Sequence, residues 1–218
     1  MPTLADLTWP EVGGQALLVI PLGSTEQHGP HLPLSTDTDI ARSLADALAA
    51  DRTDVVVAPP LPYGASGEHA GFPGTLSLGT AVLREVIVEL VRSADLIAQR
   101  VLLLNGHGGN SQALREAVAQ LRKEGRDVRA WSPPWRGDAH AGRTETSVQL
   151  ALGARVGEQR PVGAVLELAE LMPALRSDGV RAVSPNGVLG DATGAGADEG
   201  ASLLAQARAD LIEFVERW

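Results

Sequence analysis

Three side chains that can bind a metal ion lie in one short polar stretch near the start of the chain. Glu26, His28 and Asp37 follow an apolar run, Ala16–Ile20, within a segment rich in Gly and Pro. Carboxylate oxygen and imidazole nitrogen are ligands that suit first-row divalent metals. The segment therefore predicts a metal site in a loop that follows a buried strand.

The five histidines of the chain all occur in the same kind of setting. Each lies in a polar stretch that contains Gly or Pro: His28, His31, His69, His107 and His140. Histidine is the commonest protein metal ligand and the usual acid–base group near neutral pH. This distribution predicts one site that is assembled from several loops, although the sequence gives His31 no particular role.

A Gly-rich stretch, Asn105–Asn110, contains His107 between an apolar run and an amphipathic segment. Such a loop could cradle a phosphate at the start of a helix. It lacks, however, the Lys-Ser/Thr pair of a P-loop and the spacing of a dinucleotide-binding loop. Close approach of a metal to the backbone explains the glycines around His107 better.

A further polar stretch contains His140 and Glu145. Glu26, His28, Asp37 and His107 are too few to hold two metal ions, so Glu145 is expected as a metal ligand or general base. His140 is expected to carry a proton to the leaving group. In the alternative interpretation, Glu145 is an ordinary first-turn helix residue, as Asp37 could be a helix-capping residue.

Two other groups of residues have open roles. Glu68 and His69 lie in the polar stretch 63–75, where a supporting role is favoured over metal binding. Trp131 and Trp135 flank a Pro-Pro pair and could line a substrate pocket or anchor a surface loop. The spacing of a serine-hydrolase nucleophile, Gly-x-Ser-x-Gly, does not occur in the sequence.

Apolar runs alternate with amphipathic stretches along the chain. The predicted strands are Ala16–Ile20, Val55–Ala58, Val101–Leu104 and Val128–Trp131. The predicted helices are Thr38–Ala50, Thr80–Gln99, Ser111–Lys123 and Asp198–Trp218. This alternation predicts a three-layer α/β/α fold with a mostly parallel central sheet. Every polar stretch named above falls after a strand, at the edge where parallel sheets bind ligands.

Composition limits the classes of function. A chain of 218 residues, 44% of them hydrophobic, fits a single domain over residues 1–218. The formal charge of −9 argues against a nucleic-acid partner. The absence of cysteine excludes disulfides and thiolate metal ligands. No signal peptide or membrane-spanning run is apparent, so a cytoplasmic protein with no membrane partner is expected.

The motifs resemble those of the creatininase (creatinine amidohydrolase) family. The resemblance is carried by Gly23–Asp37, Tyr63–Thr75, Asn105–Asn110 and His140–Ser147. It implies two divalent metal ions per subunit, of Zn, Fe or Mn, with no other cofactor. Glu26, His28, Asp37 and His107 would be ligands, with Asp37 bridging the ions. The resemblance also implies a homo-oligomer, often a hexamer.

One position departs from the pattern of creatininase itself. That enzyme has a Glu two residues after the His of the Asn-Gly-His motif, and this chain has Gly109. The difference argues against creatinine as the substrate. Three segments, Tyr63–His69, Glu124–Asp127 and Gly187–Asp191, instead resemble a branch of the family that trims a ribosomally made precursor peptide. The implied reaction releases a modified, Val-Tyr-derived C-terminal dipeptide.

Two alternatives stay open. A deformylase or amidohydrolase of the same family would act on a small cyclic or formamide substrate. A non-catalytic protein would use the same polar edge to hold a metabolite or a phosphate.

Overall fold

All four predicted strands occur, and they form one parallel sheet. The computed structural model describes residues 3–218, which fold into four strands in the order β2-β1-β3-β4. The strands are β1 (Gln15–Leu22), β2 (Val55–Val57), β3 (Ala98–Asn105) and β4 (Asp127–Trp131). In the register, Leu18 pairs with Val56 on one side and with Val101 on the other.

Seven α-helices accompany the strands within residues 3–218. They are α1 (Thr36–Asp51), α2 (Thr80–Arg92), α3 (Ser111–Lys123), α4 (Arg143–Ala151), α5 (Leu168–Asp178), α6 (Val180–Val183) and α7 (Ala197–Glu216). None of the helices in this part of the chain has both the length and the apolar character needed to cross a bilayer.

Helices cover both faces of the sheet, because successive side chains of a strand point to opposite faces. Leu17 and Val19 of β1 pack in a core with residues of α1, α4 and α7. Leu18 and Ile20 pack in a second core with residues of α2 and α3. The two cores explain why β1 is apolar from Ala16 onward, and they confirm the predicted three-layer α/β/α fold.

The predicted helix Thr80–Gln99 is wrong over its last turns. Helix α2 ends at Arg92, a short 3-10 turn covers Ser93–Leu96, and β3 has begun by Ala98. Val91 and Ala94 are both buried, so the apolar spacing continues past the end of the helix. Hydrophobic periodicity therefore could not mark the boundary.

The order in which strands are added to the sheet reverses at β1, so that β2 lies on one side of it and β3 on the other. From β1 the chain passes through α1 to β2 on one side, and then through α2 to β3 on the other. The helices that follow β1 and β3, α1 and α3, pack against opposite faces. Such a switch point leaves a crevice at the carboxyl ends of the two strands, where ligands of open α/β sheets bind.

Candidate metal centre

The loops after all four strands meet at the carboxyl edge of the sheet. They bring together side chains that are far apart in sequence: Glu26 and His28 after β1, His69 after β2, His107 after β3 and His140 after β4. All five are buried, with at most 7% of any of them exposed to solvent. The prediction of one site built from several loops thus agrees with this placement.

Glu26 lies at the centre of the cluster. Its Oε1 is 3.2 Å from His69 Nε2, and its Oε2 is 3.2 Å from His107 Nε2. Neither oxygen has a partner in hydrogen-bonding geometry, although the residue is fully buried. A buried carboxylate without hydrogen bonds is costly unless a cation neutralises it.

Asp37 lies between two histidines at the start of α1. Its Oδ1 is 3.1 Å from His28 Nε2 and its Oδ2 is 3.1 Å from His107 Nδ1. Oδ2 has no hydrogen-bonding partner in good geometry. The N-cap position of α1 is Ser35. The carboxylate of Asp37 is therefore directed into the cluster, which disfavours the helix-capping interpretation.

Glu145 enters the cluster from the first turn of α4. Its Oε2 accepts a hydrogen bond from the Ala141 amide at 2.6 Å and lies 3.9 Å from His28 Nε2. Ala141 adopts a left-handed backbone conformation, with φ of 52°. Because such a conformation is unfavourable for alanine, the surrounding structure must hold this turn in place. The turn directs the Ala141 amide at Glu145.

Three overlapping groups of side chains could each hold a metal ion. Within each group, one ligand atom from every member lies within 4.8 Å of the others. The groups are Glu26–Asp37–His107, His28–Asp37–Glu145 and Glu26–His28–His140. Asp37 belongs to the first two, so its carboxylate could bridge two ions. These two groups contain the five side chains that the sequence predicted as ligands, and their N and O donors fit first-row divalent metals.

Electrostatic interactions oppose the effect of burial on the pKa of His28 and add to it on the pKa of His140. Burial alone would lower the pKa of His28, but Asp37, Glu145 and Glu26 raise that pKa to about 10. Burial raises the pKa of Glu145 to about 7, despite the nearby His28. Burial and the neighbouring histidines hold the pKa of His140 well below its usual range. In the metal-free protein, His28 therefore carries a proton where a metal would otherwise bind.

Residues whose roles the sequence left open fall into two sets. His69 is part of the cluster, and Glu68 Oε1 lies 3.7 Å from His107 Nε2 at the partly exposed side of the site. His31 instead contacts Thr146 Oγ1 at 2.9 Å and belongs to none of the three groups. The sequence interpretation missed Gln27, whose buried side chain contacts His69 and His140. Its position between two predicted ligands was the only signal.

The two tryptophans belong to the packing of α7. Trp131 is buried in the core and donates a hydrogen bond from Nε1 to Asp210 Oδ1 at 2.7 Å. Trp135 packs against the same core and donates from Nε1 to the Leu203 carbonyl at 3.4 Å. Both contacts favour a structural role over the lining of a substrate pocket.

Two of the known proteins that resemble this chain are about half identical to it over nearly its whole length. A mycofactocin precursor peptide peptidase of Mycolicibacterium smegmatis is 51% identical over 213 residues, which cover 93% of this chain and 85% of that protein. A protein of the same name from Mycobacterium ulcerans is 49% identical over 97% of this chain and 86% of its own length. A creatinine amidohydrolase of Pseudomonas putida is 33% identical over 56% of this chain and 50% of its own length.

Solved structures have the same fold. A crystal structure of creatinine amidohydrolase superposes with a TM-score of 0.81 at 24% identity, covering 99% of this chain and 96% of that one. A structure described as creatininase Mn gives a TM-score of 0.80 over 99% and 97% of the two chains. The sequence profile described as creatininase, creatinine amidohydrolase, matches residues 5–215. The chain belongs to the creatininase family.

Proposed function

We propose that this protein is a metal-dependent hydrolase of C–N bonds that releases the modified, Val-Tyr-derived C-terminal dipeptide from the mycofactocin precursor peptide. The observation that carries the hydrolase proposal is Asp37, a carboxylate shared by two groups of potential metal ligands. The peptide substrate is supported by the relatives that are about half identical to the chain over more than nine-tenths of its length.

The residues present fit a pair of divalent ions. Glu26, Asp37 and His107 would hold one ion, and His28, Asp37 and Glu145 would hold the other. Three buried carboxylate oxygens without hydrogen bonds, two on Glu26 and one on Asp37, are the strongest sign that a cation is accommodated here. Bound divalent ions supply Lewis-acid polarisation of a carbonyl and lower the pKa of water.

His140 is proposed as the proton carrier. Its Nε2 lies 2.8 Å from the Gln27 carbonyl, and its Nδ1 lies 3.8 Å from Glu26 Oε1. The ring is therefore held at one nitrogen while the other faces the cluster. A nitrogen in that position can accept a proton from the attacking water and pass it to the leaving amide nitrogen. Glu145, whose burial raises its pKa to about 7, is proposed as a ligand or a general base.

The direct test is incubation of the purified protein with the decarboxylated, C-terminally modified precursor peptide, followed by mass spectrometry. Release of the dipeptide supports the proposal, and an intact peptide after prolonged incubation with zinc, iron or manganese contradicts it. The Asp37→Ala variant is expected to lose both tight metal occupancy and turnover. Full activity of that variant would refute the shared ligand.

A second candidate function is a deformylase or amidohydrolase that acts on a small substrate. The similarity to a creatinine amidohydrolase over 132 residues favours it. A linear formamide and creatinine, assayed in parallel with the peptide, separate the two candidates. Hydrolysis of either small substrate without cleavage of the peptide would support the second.

A non-catalytic binding protein is the third possibility, and elemental analysis distinguishes it. Protein purified without added metal should contain about two equivalents per chain if it is the proposed hydrolase. A metal-free protein that gains nothing on reconstitution, and that free phosphate or a nucleotide stabilises, would support the binding protein. The same measurement identifies the metal as Zn, Fe or Mn.

Homo-oligomer formation is a further part of the proposal. Four apolar side chains in one short segment are about half or more exposed: Val162, Val165, Leu166 and Leu168. Exposed apolar stretches of this kind are typical of protein interfaces. Light scattering after size exclusion would count the subunits. A single domain over residues 1–218 and a cytoplasmic location stay predictions.

A further inference from the structure

Gln27 lies between two proposed ligands, and its side chain connects its own loop to three other segments of the chain. The residue is 4% exposed. Its amide contacts Gly29 in its own loop, His69 in the loop after β2, and both His140 and Gly187 from later in the chain. No part of the mechanism above uses this side chain.

Two main-chain groups identify which atom of the amide is oxygen. The Gly29 N–H donates to Oε1 at 2.9 Å, and the Gly187 carbonyl accepts from Nε2 at 3.1 Å. A reversed amide would place a donor against the Gly29 N–H and an acceptor against the Gly187 carbonyl. The orientation of Gln27 is therefore fixed by the backbone.

The number of available hydrogens then determines where the histidine protons lie. Gln27 Nε2 carries two hydrogens but has three neighbours: His69 Nδ1 at 2.9 Å, Gly187 O at 3.1 Å and His140 Nε2 at 3.1 Å. His140 Nε2 is also 2.8 Å from the main-chain carbonyl of Gln27, which can only accept. All groups are satisfied only if His140 Nε2 donates to that carbonyl. Both hydrogens of Gln27 are then free for Gly187 and His69.

We propose that Gln27 is a positioning residue that sets the tautomer of His69 and thereby gives the two neighbouring histidines opposite roles. His69 accepts at Nδ1, so its hydrogen lies on Nε2, the atom 3.2 Å from Glu26 Oε1. His140, held at Nε2 by the Gln27 carbonyl, presents a lone pair at Nδ1, the atom 3.8 Å from the same oxygen. The protonated nitrogen of His69 thus lies on the Glu26 side of the ring, although outside hydrogen-bonding geometry, while His140 directs a lone pair to the same side.

This assignment concerns the resting protein and goes beyond the proposed function. It also predicts that changes to the Gln27 side chain affect His69 and His140 differently. Replacing the side chain removes the donor that faces His69, but the main-chain carbonyl that holds His140 stays in place. The side-chain variants should therefore change the tautomer of His69 and leave that of His140 unaltered.

The test is nitrogen-15 NMR of the imidazole rings in zinc-loaded protein, with the signals assigned from His69→Asn and His140→Asn variants. In the wild type, Nδ1 of both rings should be unprotonated. In Gln27→Glu, the new carboxylate oxygen faces His69 Nδ1, so the proton of His69 should move to Nδ1. In Gln27→Met, which offers neither donor nor acceptor, His69 should become a mixture of tautomers.

Gln149→Met is the matched control, because Gln149 is also a fully buried amide and its Nε2 donates to the Thr36 carbonyl at 3.1 Å. It should leave both tautomers unchanged. The proposal is wrong if His69 carries its hydrogen on Nδ1 in the wild type, or if His69 is unchanged in both Gln27 variants. A response of His69 to Gln149→Met equal to that in Gln27→Met would also overturn it, because general loosening would then be the cause.

A kinetic measurement separates this proposal from the proposed function. Second-sphere contacts of this kind commonly change activity by about 10–100-fold. With the precursor peptide, Gln27→Glu should lower kcat within that range and change KM little. If the wild type cleaves no peptide, the proposed function is refuted while the tautomers measured by NMR still decide the role of Gln27.

Discussion

At the scale of single residues, the most informative side chain is His140, because it belongs to a potential ligand group and is also the proposed proton carrier. We expect His140→Ala to retain its metal while the turnover rate falls by about 10²–10⁴-fold. Metal content by elemental analysis and peptide turnover by mass spectrometry check the two parts separately. Loss of metal in this variant would show that His140 is a ligand.

Gly109 gives a second residue-scale prediction. A Cβ at this position would overlap the Ala65 carbonyl, His107 Nε2 and a carboxylate oxygen of Glu68. Because the Ala65 carbonyl is backbone and cannot swing away, Gly109→Ala should displace the His107 ring. We expect zinc affinity to fall about 10-fold or more, measured by competition with a chelator.

The adjacent variant Gly108→Ala is the control for Gly109, since no heavy atom lies within 4 Å of a Cβ built there. Equal zinc affinity in the two variants would contradict the packing argument. The crowding around Gly109 also gives a physical reason why this chain has no side chain there, in contrast to creatininase itself.

Residue types and spacing were enough to name most of the side chains that the fold brings together. Glu26, His28, Asp37, His107 and Glu145 are brought together in the two groups that share Asp37. His69 lies beside Glu26 but belongs to none of the three potential ligand groups, which is compatible with the supporting role favoured from the sequence. Gln27 was missed because a neutral amide is neither an acid nor a base, and its role becomes clear only when its hydrogen-bond partners are known.

At the scale of elements, α4 and α7 are in close backbone contact at Gly200. A Cβ on Gly200 of α7 would overlap the backbone at Ser147 of α4, two residues after Glu145. Alanine favours helices over glycine by about 1 kcal/mol, yet here we expect Gly200→Ala to lower the free energy of unfolding by about 1–3 kcal/mol through overpacking. Denaturant unfolding of the metal-free protein measures it.

Ser202→Ala, at an exposed position of the same helix, is the control and should change stability by less than about 0.5 kcal/mol. A Gly200→Ala variant as stable as the wild type would mean that the two helices can separate freely. Because α4 carries Glu145, a genuine displacement should also weaken metal binding.

Most elements that lie against the sheet were predictable, and those at its rim were not. The run Ser111–Lys123 is a helix over the predicted range, and the four apolar runs are the four strands. Helix α4, whose Val148 packs in a core beside the sheet, was not predicted. Helices α5 and α6 were not predicted either. They pack in a small separate core around Leu171 and Leu175 and are interrupted by Gly179. In short segments of this kind the apolar spacing is too brief to identify a helix.

At the scale of the whole molecule, metal binding and folding are coupled through protons. In the metal-free protein, the pKa of His28 is about 10, so this imidazole is protonated at pH 7. A protonated imidazole must lose a proton before it can bind a metal, so binding of zinc at pH 7 should release protons. Titration calorimetry in buffers of different ionisation enthalpy would count them, and His28→Gln should release fewer.

The ion pair of His28 and Asp37 also determines how the stability of the protein depends on pH. Because the folded-state pKa of His28 is raised from 6.5 to about 10, the stabilisation from its pairing with Asp37 is complete below pH 6.5 and is lost as pH rises through about 10. Zinc must displace the proton of His28, so the affinity for zinc rises as the pH rises and fewer His28 side chains are protonated. The difference in Tm between zinc-loaded and metal-free protein should therefore grow from pH 6 to pH 9, and a constant difference would contradict the coupling.

All the proposed ligands lie at one edge of the sheet, and the turns at the opposite edge are free of them. Thr53, which is exposed in the turn before β2, lies at that opposite edge. Since the sequence has no cysteine, Thr53→Cys would give the chain a unique attachment point for a fluorophore or a solid support. A fluorophore coupled there would report on unfolding, and a support coupled there would immobilise the protein. Neither would block the approach of a peptide to the metal centre.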